Sequence, residues 1–478
     1  MRNGLTLIMT LFLFGCAQII EEKDSGVYFG GEIINPKERI VVLFTKDGMA
    51  SDTIPLNVDN RFLTHIDQLE TGLYSFKHGS EYQWVIMEPT DSIMLRLNTN
   101  DFDESLVFSG KGARKNNYFL KIFLQNEQED RRLVKYSQNE PEVFLEFVNK
   151  RHEQQLDNLN AFLSKKEVSP FAKSILKAGI DYNNYADKEI YPFAYFGNNK
   201  LIHYKDLPGG FYTHRSEVDY NSEVLSEIFA YNRFLFAHID NLALSHFYDH
   251  HDFHSQFNRH EMVYNKAKLD LIDSLISNDV IRNNLLKYKT REFISNSLDN
   301  SETDEMLAYF KSKCSNGSDI AYMDRLVDAI EDLKPGNDFP DLQLIDIYNK
   351  EHSIGELVKK PTLIYFWSSN NKKHYRNSHY RVKELKKKFP EVEFISININ
   401  ENSDEFWIKI LNKYKFSLDN EYKFKDPELA KETLALNFVY KVMIVDRNGH
   451  ILHPNVNIFS KDFEASLQKL LQKKALSI

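Results

Sequence analysis

From Gly26 to about Phe108 short apolar stretches recur at regular intervals: Gly26-Val-Tyr-Phe-Gly, Arg39-Ile-Val-Val-Leu-Phe, Gly72-Leu-Tyr-Ser-Phe, Gln83-Trp-Val-Ile-Met and Ser92-Ile-Met-Leu-Arg-Leu. Turn formers such as Lys46-Asp-Gly, Val58-Asp-Asn and Pro89-Thr-Asp separate them, a pattern that predicts a small antiparallel β-sandwich. From residue 112 to about 334 the apolar spacing becomes helical, as in Tyr118, Leu120, Ile122 and Phe123, then Phe144, Phe147 and Val148, then Leu225, Ile228, Phe229 and Leu235. A break from Leu201 to Arg215, with Pro208-Gly-Gly inside it, predicts a loop between two helical groups. After Pro335 the grammar changes again. Thr362-Leu-Ile-Tyr-Phe-Trp and Val392-Glu-Phe-Ile-Ser-Ile-Asn read as strands, and the helix between them places Tyr375, Val382, Leu385 and Phe389 on one face. A helix near Asp404 to Lys413, a hairpin around Arg447-Asn-Gly and a closing helix from Lys461 to Lys474 complete the order β-α-β-α-β-β-α.

Composition narrows the function classes. With 478 residues the chain has room for about three domains, and Gly and Pro are sparse at 18 and 13, so long ordered elements fill it. The net charge of −9 gives no field suited to gripping phosphate backbones, and nucleic acid is not an expected partner. Two cysteines, Cys16 and Cys314, exclude a disulfide framework and a cysteine-rich zinc site. Cys314 lies on a helical pattern and reads as a small buried hydrophobe.

At the N-terminus Arg2 precedes the apolar run Leu5 to Phe14, long enough for a signal h-region and too short to span a bilayer. The run ends Leu13-Phe14-Gly15-Cys16, which resembles the lipobox of bacterial lipoproteins and implies a lipidated Cys16 as the mature N-terminus. Acyl chains at about 0.8 kcal/mol per buried methylene would anchor the chain firmly. Glu21, Glu22 and Asp24 resemble the acidic stretch of some surface lipoproteins of Bacteroidetes. They read equally as a solvated linker, so periplasmic and surface placements both stay open.

The C-terminal segments together resemble the TlpA/ResA-type thioredoxin-like proteins of the bacterial envelope. The resemblance rests on Pro335-Gly-Asn-Asp-Phe-Pro-Asp-Leu, on Phe366-Trp367-Ser-Ser before the expected redox turn, and on Met443-Ile-Val-Asp-Arg-Asn-Gly-His-Ile in the terminal hairpin. Met87-Glu-Pro-Thr-Asp-Ser, Phe108-Ser-Gly-Lys-Gly-Ala and Asn116-Asn-Tyr resemble the small β-domain that precedes such domains in Bacteroidetes lipoproteins. Gly110-Lys-Gly lacks the spacing of a phosphate loop and reads as a turn into a helix. The family carries Cys-x-x-Cys at the first helical turn, where the dipole and free N–H groups stabilise a thiolate. Here the run is Asn370-Asn371-Lys372-Lys373-His374, so the resemblance places Asn371 and His374 at the two cysteine positions. Tyr440, within Val439-Tyr440-Lys441, stands at the family's cis-proline, where a trans peptide is expected because a cis bond before Tyr costs about 2.5–4 kcal/mol.

The expected organisation is a signal peptide at 1–15, a lipidated tether at 16–25, a β-sandwich at 26–110, a helical region at 111–334 and a thioredoxin-like domain at 335–478. The loss of both cysteines and the proline points away from an enzyme, toward a degenerate site used for binding or assembly. No cofactor is implied. Residues 335–478 hold 23 Lys+Arg against 19 Asp+Glu, so the site is read either as binding an anionic group or an envelope protein's peptide, or as a vestigial site whose polar residues keep a helix end solvated. Asn371 would cap the helix beside Lys372 and Lys373, with His374 as a pH-sensitive donor and Trp367 and Tyr440 as apolar walls. One alternative keeps the thiol-disulfide oxidoreductase role of the resembled family. Another seats a metal-dependent activity in the helical region, where His246, His250, His251, His254 and His260 cluster with Asp249 and Asp252. His246 and His250 share a helix face at i,i+4 spacing, but without an adjacent Glu they read first as a helix terminus packing its aromatics. The basic run Lys383 to Lys388 reads as a solvated face.

Overall fold

The structure, a computed structural model, describes residues 26–45, 50–79, 81–165, 167–195, 202–251, 257–297, 300–369, 371–400, 404–436 and 440–475. The expected signal peptide, the tether and Cys16 lie outside the described residues, as do Leu201, Asp252, Phe253, His254, Asn370 and Val439.

The first part is built from β1 (Val27–Ile34), β2 (Ile40–Phe44), β3 (Ala50–Pro55), β4 (Arg61–Ile66), β5 (Gly72–His78), β6 (Glu81–Met87), β7 (Ser92–Asn98) and β8 (Val107–Lys111), with the short α1 (Phe102–Ser105) before β8. Two four-stranded sheets, β4-β1-β7-β8 and β3-β2-β5-β6, close on a shared core that includes Phe29, Leu43, Phe76 and Ile93. The sandwich is not wholly antiparallel: β1 runs parallel to β7. Period-two alternation is the same for either direction, so the pattern alone cannot distinguish them. The central strand is tightly held. A Cβ on Gly31 would lie 2.2 Å from the Leu95 carbonyl oxygen, and one on Gly30 would lie 2.7 Å from that of Phe62. Gly110 and Gly112 take positive φ and turn the chain into the first long helix, where the Lys115 ammonium meets Glu88 and Asp91.

The helical middle comprises α2 (Ala113–Tyr136), α3 (Pro141–Leu163), α4 (Pro170–Ala194), the short α5 (Glu223–Ser226), α6 (Phe229–His250), α7 (Met262–Leu275), α8 (Asp279–Ile294), α9 (Asn300–Lys313) and α10 (Gly317–Asp332). Among the described residues no helix is long and apolar enough to cross a membrane. Helix α4 is central: it is buried on every face from Ala178 to Glu189, so its polar residues must find partners inside the protein. Glu189, fully buried, accepts hydrogen bonds from His214, His238, Asn241 and both arms of Arg215. Two positions earlier on α4, Asp187 takes Arg151 and Arg233.

The C-terminal part contains β9 (Gln343–Asp346), β10 (Glu351–Ser353), α11 (Ile354–Leu357), β11 (Thr362–Trp367), α12 (Lys372–Lys388), β12 (Glu393–Asn398), α13 (Asp404–Tyr414), β13 (Glu421–Phe424), α14 (Pro427–Thr433), β14 (Val442–Val445), β15 (Ile451–His453) and α15 (Phe463–Ala475). Its seven-stranded mixed sheet runs β10-β9-β13-β12-β11-β14-β15. The expected order lacked β9, β10, α11, β13 and α14. These elements are three to seven residues long, too short for apolar periodicity to register. β11 is buried throughout because both faces of the sheet are covered. Leu363, Tyr365 and Trp367 share a core with Val382 and Leu385 of α12. Ile364 and Phe366 belong to a second apolar cluster that continues into Leu326 and Leu333 at the end of the helical middle. Each such side chain removed from water contributes about 1.5–3 kcal/mol, so the helical middle and the sheet hold each other in place.

Candidate functional site

The turn after β11 delivers the chain to the start of α12, where Asn371 is the N-cap and its Oδ1 accepts the His374 amide at 2.9 Å. That bond satisfies one of the free N–H groups of the first turn. Lys372 and Lys373 are exposed, whereas His374 turns inward and is buried. Its Nε2 meets Ser378 Oγ at 3.1 Å, and its Nδ1 has no hydrogen-bond partner. Burial, with a smaller contribution from nearby His379, brings the imidazole down to about 4. It is therefore neutral near pH 7, not the pH-sensitive donor that the sequence suggested. Tyr440 sets its ring edge-on to His374 at 4.7 Å and is 60% exposed. Trp367 is not a wall of this surface. Its strand parity points it into the core, fully buried, against Tyr375 and His379. The peptide between Val439 and Tyr440 involves a residue outside those described.

Two features had no sequence signal. Beneath α12, His379 Nε2 lies 3.0 Å from Glu421 Oε1, and its Nδ1 lies 2.7 Å from the Tyr375 carbonyl. Both side chains are buried, so the pair fastens α12 to β13 out of reach of any ligand. The second is Lys441, whose Nζ donates to the Leu434 carbonyl at 2.6 Å and whose amine burial pushes down to about 7.

Tyr440 and Lys441 line a cleft of about 570 Å³ whose opposite wall is helical: Ser295, Asn296 and Ile330. A smaller cavity of about 270 Å³ shares Lys441 and Asn455 and extends toward His453 and Lys334. Among the described residues, neither lining contains an Asp or Glu. The walls are amides, hydroxyls, apolar groups and bases, a composition suited to a peptide backbone or an acidic group. The signal for this cleft is absent from local sequence, since its walls are more than 100 positions apart.

The histidine group at the end of α6 holds no comparable site. His246 and His250 stack at 4.3 Å and are exposed, while His250 and His251 turn their Nδ1 atoms to the carbonyls of His246 and Phe247. Among the described residues, no group of three or more His, Cys, Asp or Glu side chains has an arrangement that could hold a metal ion. Cys314 is buried, with its thiol pushed up by that burial.

A family model described as thioredoxin-like matches residues 359–451. No curated protein matches the chain. Among solved structures it is similar to a candidate thiol-disulfide oxidoreductase from Bacteroides vulgatus, at 18% identity over 29% of this chain and 98% of that one, with a TM-score of 0.27. It is also similar to a thiol-disulfide oxidoreductase from Bacteroides fragilis, at 16% identity over 28% and 99% of the two chains and a TM-score of 0.25. A third is a thiol:disulfide interchange protein from Bacteroides sp., at 17% identity over 29% and 90%, also with a TM-score of 0.25. The C-terminal domain is thioredoxin-like, in a multidomain chain with N-terminal β-sheets and a helical middle.

Proposed function

We propose that the chain is a lipid-anchored protein of the bacterial envelope whose thioredoxin-like domain serves binding or assembly in place of thiol exchange. One observation carries the reading: at the first turn of α12, Asn371 caps the helix and His374 is buried and neutral, and neither side chain can attack a disulfide. Exchange requires a thiolate in a position to reach a sulfur. Cys314 offers the reverse, a buried thiol with its acidity suppressed. The binding surface is the cleft between Tyr440 and Asn296, which receives an anionic group or an acidic peptide segment of another envelope protein. Lys441 inside it and Lys372 and Lys373 on the exposed start of α12 supply positive charge, and the amides of Asn296, Asn455 and Asn457 supply hydrogen bonds.

Three measurements test this. Insulin reduction by the purified protein stays at the buffer blank, whereas turnover that survives Cys314→Ala would overturn the non-redox assignment. Reversing Lys372 and Lys373 to Glu, together with Tyr440→Ala, removes partners recovered from envelope extract. An unchanged partner set moves the functional surface elsewhere. Mass spectrometry of the mature N-terminus reads lipid on Cys16, and an unlipidated start downstream of it rejects the anchor.

A further inference from the structure

A cavity of about 690 Å³ lies in the helical middle, among α4, α6, α7 and α8. That is within the range of sites that enclose a small organic ligand. Six of its lining residues are Phe or Tyr: Phe193, Phe236, Tyr264, Tyr288 and Phe293, with Phe229 61% exposed. Set into these walls are two lysines, Lys268 and Lys289, only 4% and 3% exposed. Lysine is seldom buried to this degree without a carboxylate of its own. Here the two share one: Asp240 Oδ1 lies 2.7 Å from Lys289 Nζ and 3.6 Å from Lys268 Nζ. Glu292 stands farther off, 3.7 Å from Lys289. Arg259, exposed, spreads over the Phe193 ring at 4.8 Å, and Arg233 is engaged by Asp187. Among the described lining residues, Lys268, Lys289 and the exposed Arg259 thus face the two carboxylates Asp240 and Glu292, an excess of one positive charge. Ring faces add to the carboxylates: Tyr264 lies 4.7 Å from the Lys268 ammonium, and Phe236 and Tyr288 lie 5.6 and 5.8 Å from that of Lys289.

We infer that this cavity is a second binding site, for a small organic acid with an aromatic body. The rings take the body by stacking and edge contacts, and the carboxylate lies between Lys268 and Arg259, where it completes the charge balance that Asp240 leaves unfinished. Burial lowers the affinity of Lys268 for its proton, and an incoming anion restores it. The site is separate from the cleft at Tyr440, although Asn296 borders both, and it does not depend on the function proposed above.

The test is calorimetric titration of the full chain with benzoate, naphthalene-2-carboxylate and indole-3-acetate, against the neutral naphthalene-2-carboxamide. At least one acid binds, and the carboxamide binds at least about tenfold more weakly, as expected when a charged hydrogen bond is lost. Lys268→Met weakens the acid by a similar factor of about ten. Arg259→Gln, at an exposed position that cannot disturb the fold, weakens it by about threefold or more. Tyr440→Ala leaves the affinity unchanged. Absence of binding by all three acids, equal affinity for acid and carboxamide, indifference to both cation substitutions, or loss through Tyr440→Ala would each overturn the proposal.

Discussion

Glu189 in the helical middle and His374 at the start of α12 are both buried, yet their surroundings differ in kind. The Glu189 carboxylate accepts five hydrogen bonds from four side chains. Those donors hold it well below the usual carboxylate range although burial opposes them. His374 has one side-chain hydrogen bond and an Nδ1 with none, and desolvation, helped by nearby His379, decides its charge state. Trp367 Nε1, in the same neighbourhood, is also buried without a partner. The thioredoxin-like domain does contain one compensated pair, His379 with Glu421, deeper under the helix. The difference teaches where each region's polar groups come from. Around Glu189 they are integral to the packing, matched by α6 and the segment at 213–217, even though His214 Nδ1 and, elsewhere in the helical middle, Asn183 Nδ2 and Thr290 Oγ1 are buried without a partner. At the first turn of α12 the side chains are matched less completely, with His374 Nδ1 buried and without a partner.

The contrast can be broken most decisively at Glu189. Glu189→Ala leaves Arg215 and two imidazoles facing an apolar interior and costs about 3–5 kcal/mol, read as the loss of denaturant midpoint at constant slope. A loss below 1 kcal/mol would show that the network is peripheral to stability. A second measurement sharpens the comparison through pH. His374 in the folded protein titrates near 4, below its unfolded value of about 6.5, so between these values the unfolded chain binds more protons and stability falls as pH falls. The loss begins near pH 6.5 and is complete below pH 4, at about 3 kcal/mol. His374→Gln removes this part of the slope, visible as the difference between variant and parent in urea midpoints from pH 7 to 4. Parallel curves would contradict the assignment. Glu189 adds to the slope only at the acid end of that window, from about pH 5 downward, where the unfolded carboxyl takes up a proton that the folded one refuses. The smallest effect belongs to the cap: Asn371→Ala costs about 1 kcal/mol and Asn371→Asp nearly nothing, by the same measurement.

What the sequence disclosed follows from how far each signal reaches along the chain. Tyr375, Val382, Leu385 and Phe389 of α12 were legible as one buried face because a helix repeats its contacts every three or four residues. β11 was legible because both of its faces are covered, making all six residues apolar or tightly packed. β13, with Glu421 at its head and Lys423 within it, is a strand only because β9 and β12 flank it. The Glu189 network was hidden by the position of α4: a helix buried all round carries no apolar stripe, so its Asn, Asp and Glu resemble a wet face. Trp367 was misplaced as a wall because adjacency to the turn was weighed above strand parity. The cleft at Lys441 was out of reach, since Asn296 and Ile330 arrive there only through tertiary packing.

The parallel pairing of β1 with β7 bears on the order in which the chain can acquire structure. β1 lies between β4 and β7, with Tyr28 opposite Ser92 and Ile34 opposite Asn98. The first strand of the sheet must therefore wait for a segment more than sixty positions later before both of its edges are closed. Hairpins such as β5 with β6 need only a short loop and can form as soon as they appear. Until β7 arrives, Val27, Phe29 and Ile33, all fully buried in the finished protein, remain uncovered beside an open edge. Contacts of that separation slow folding through the entropy of closing the intervening loop. The N-terminal sandwich thus has a built-in delay during which its first strand is open to pairing with another chain.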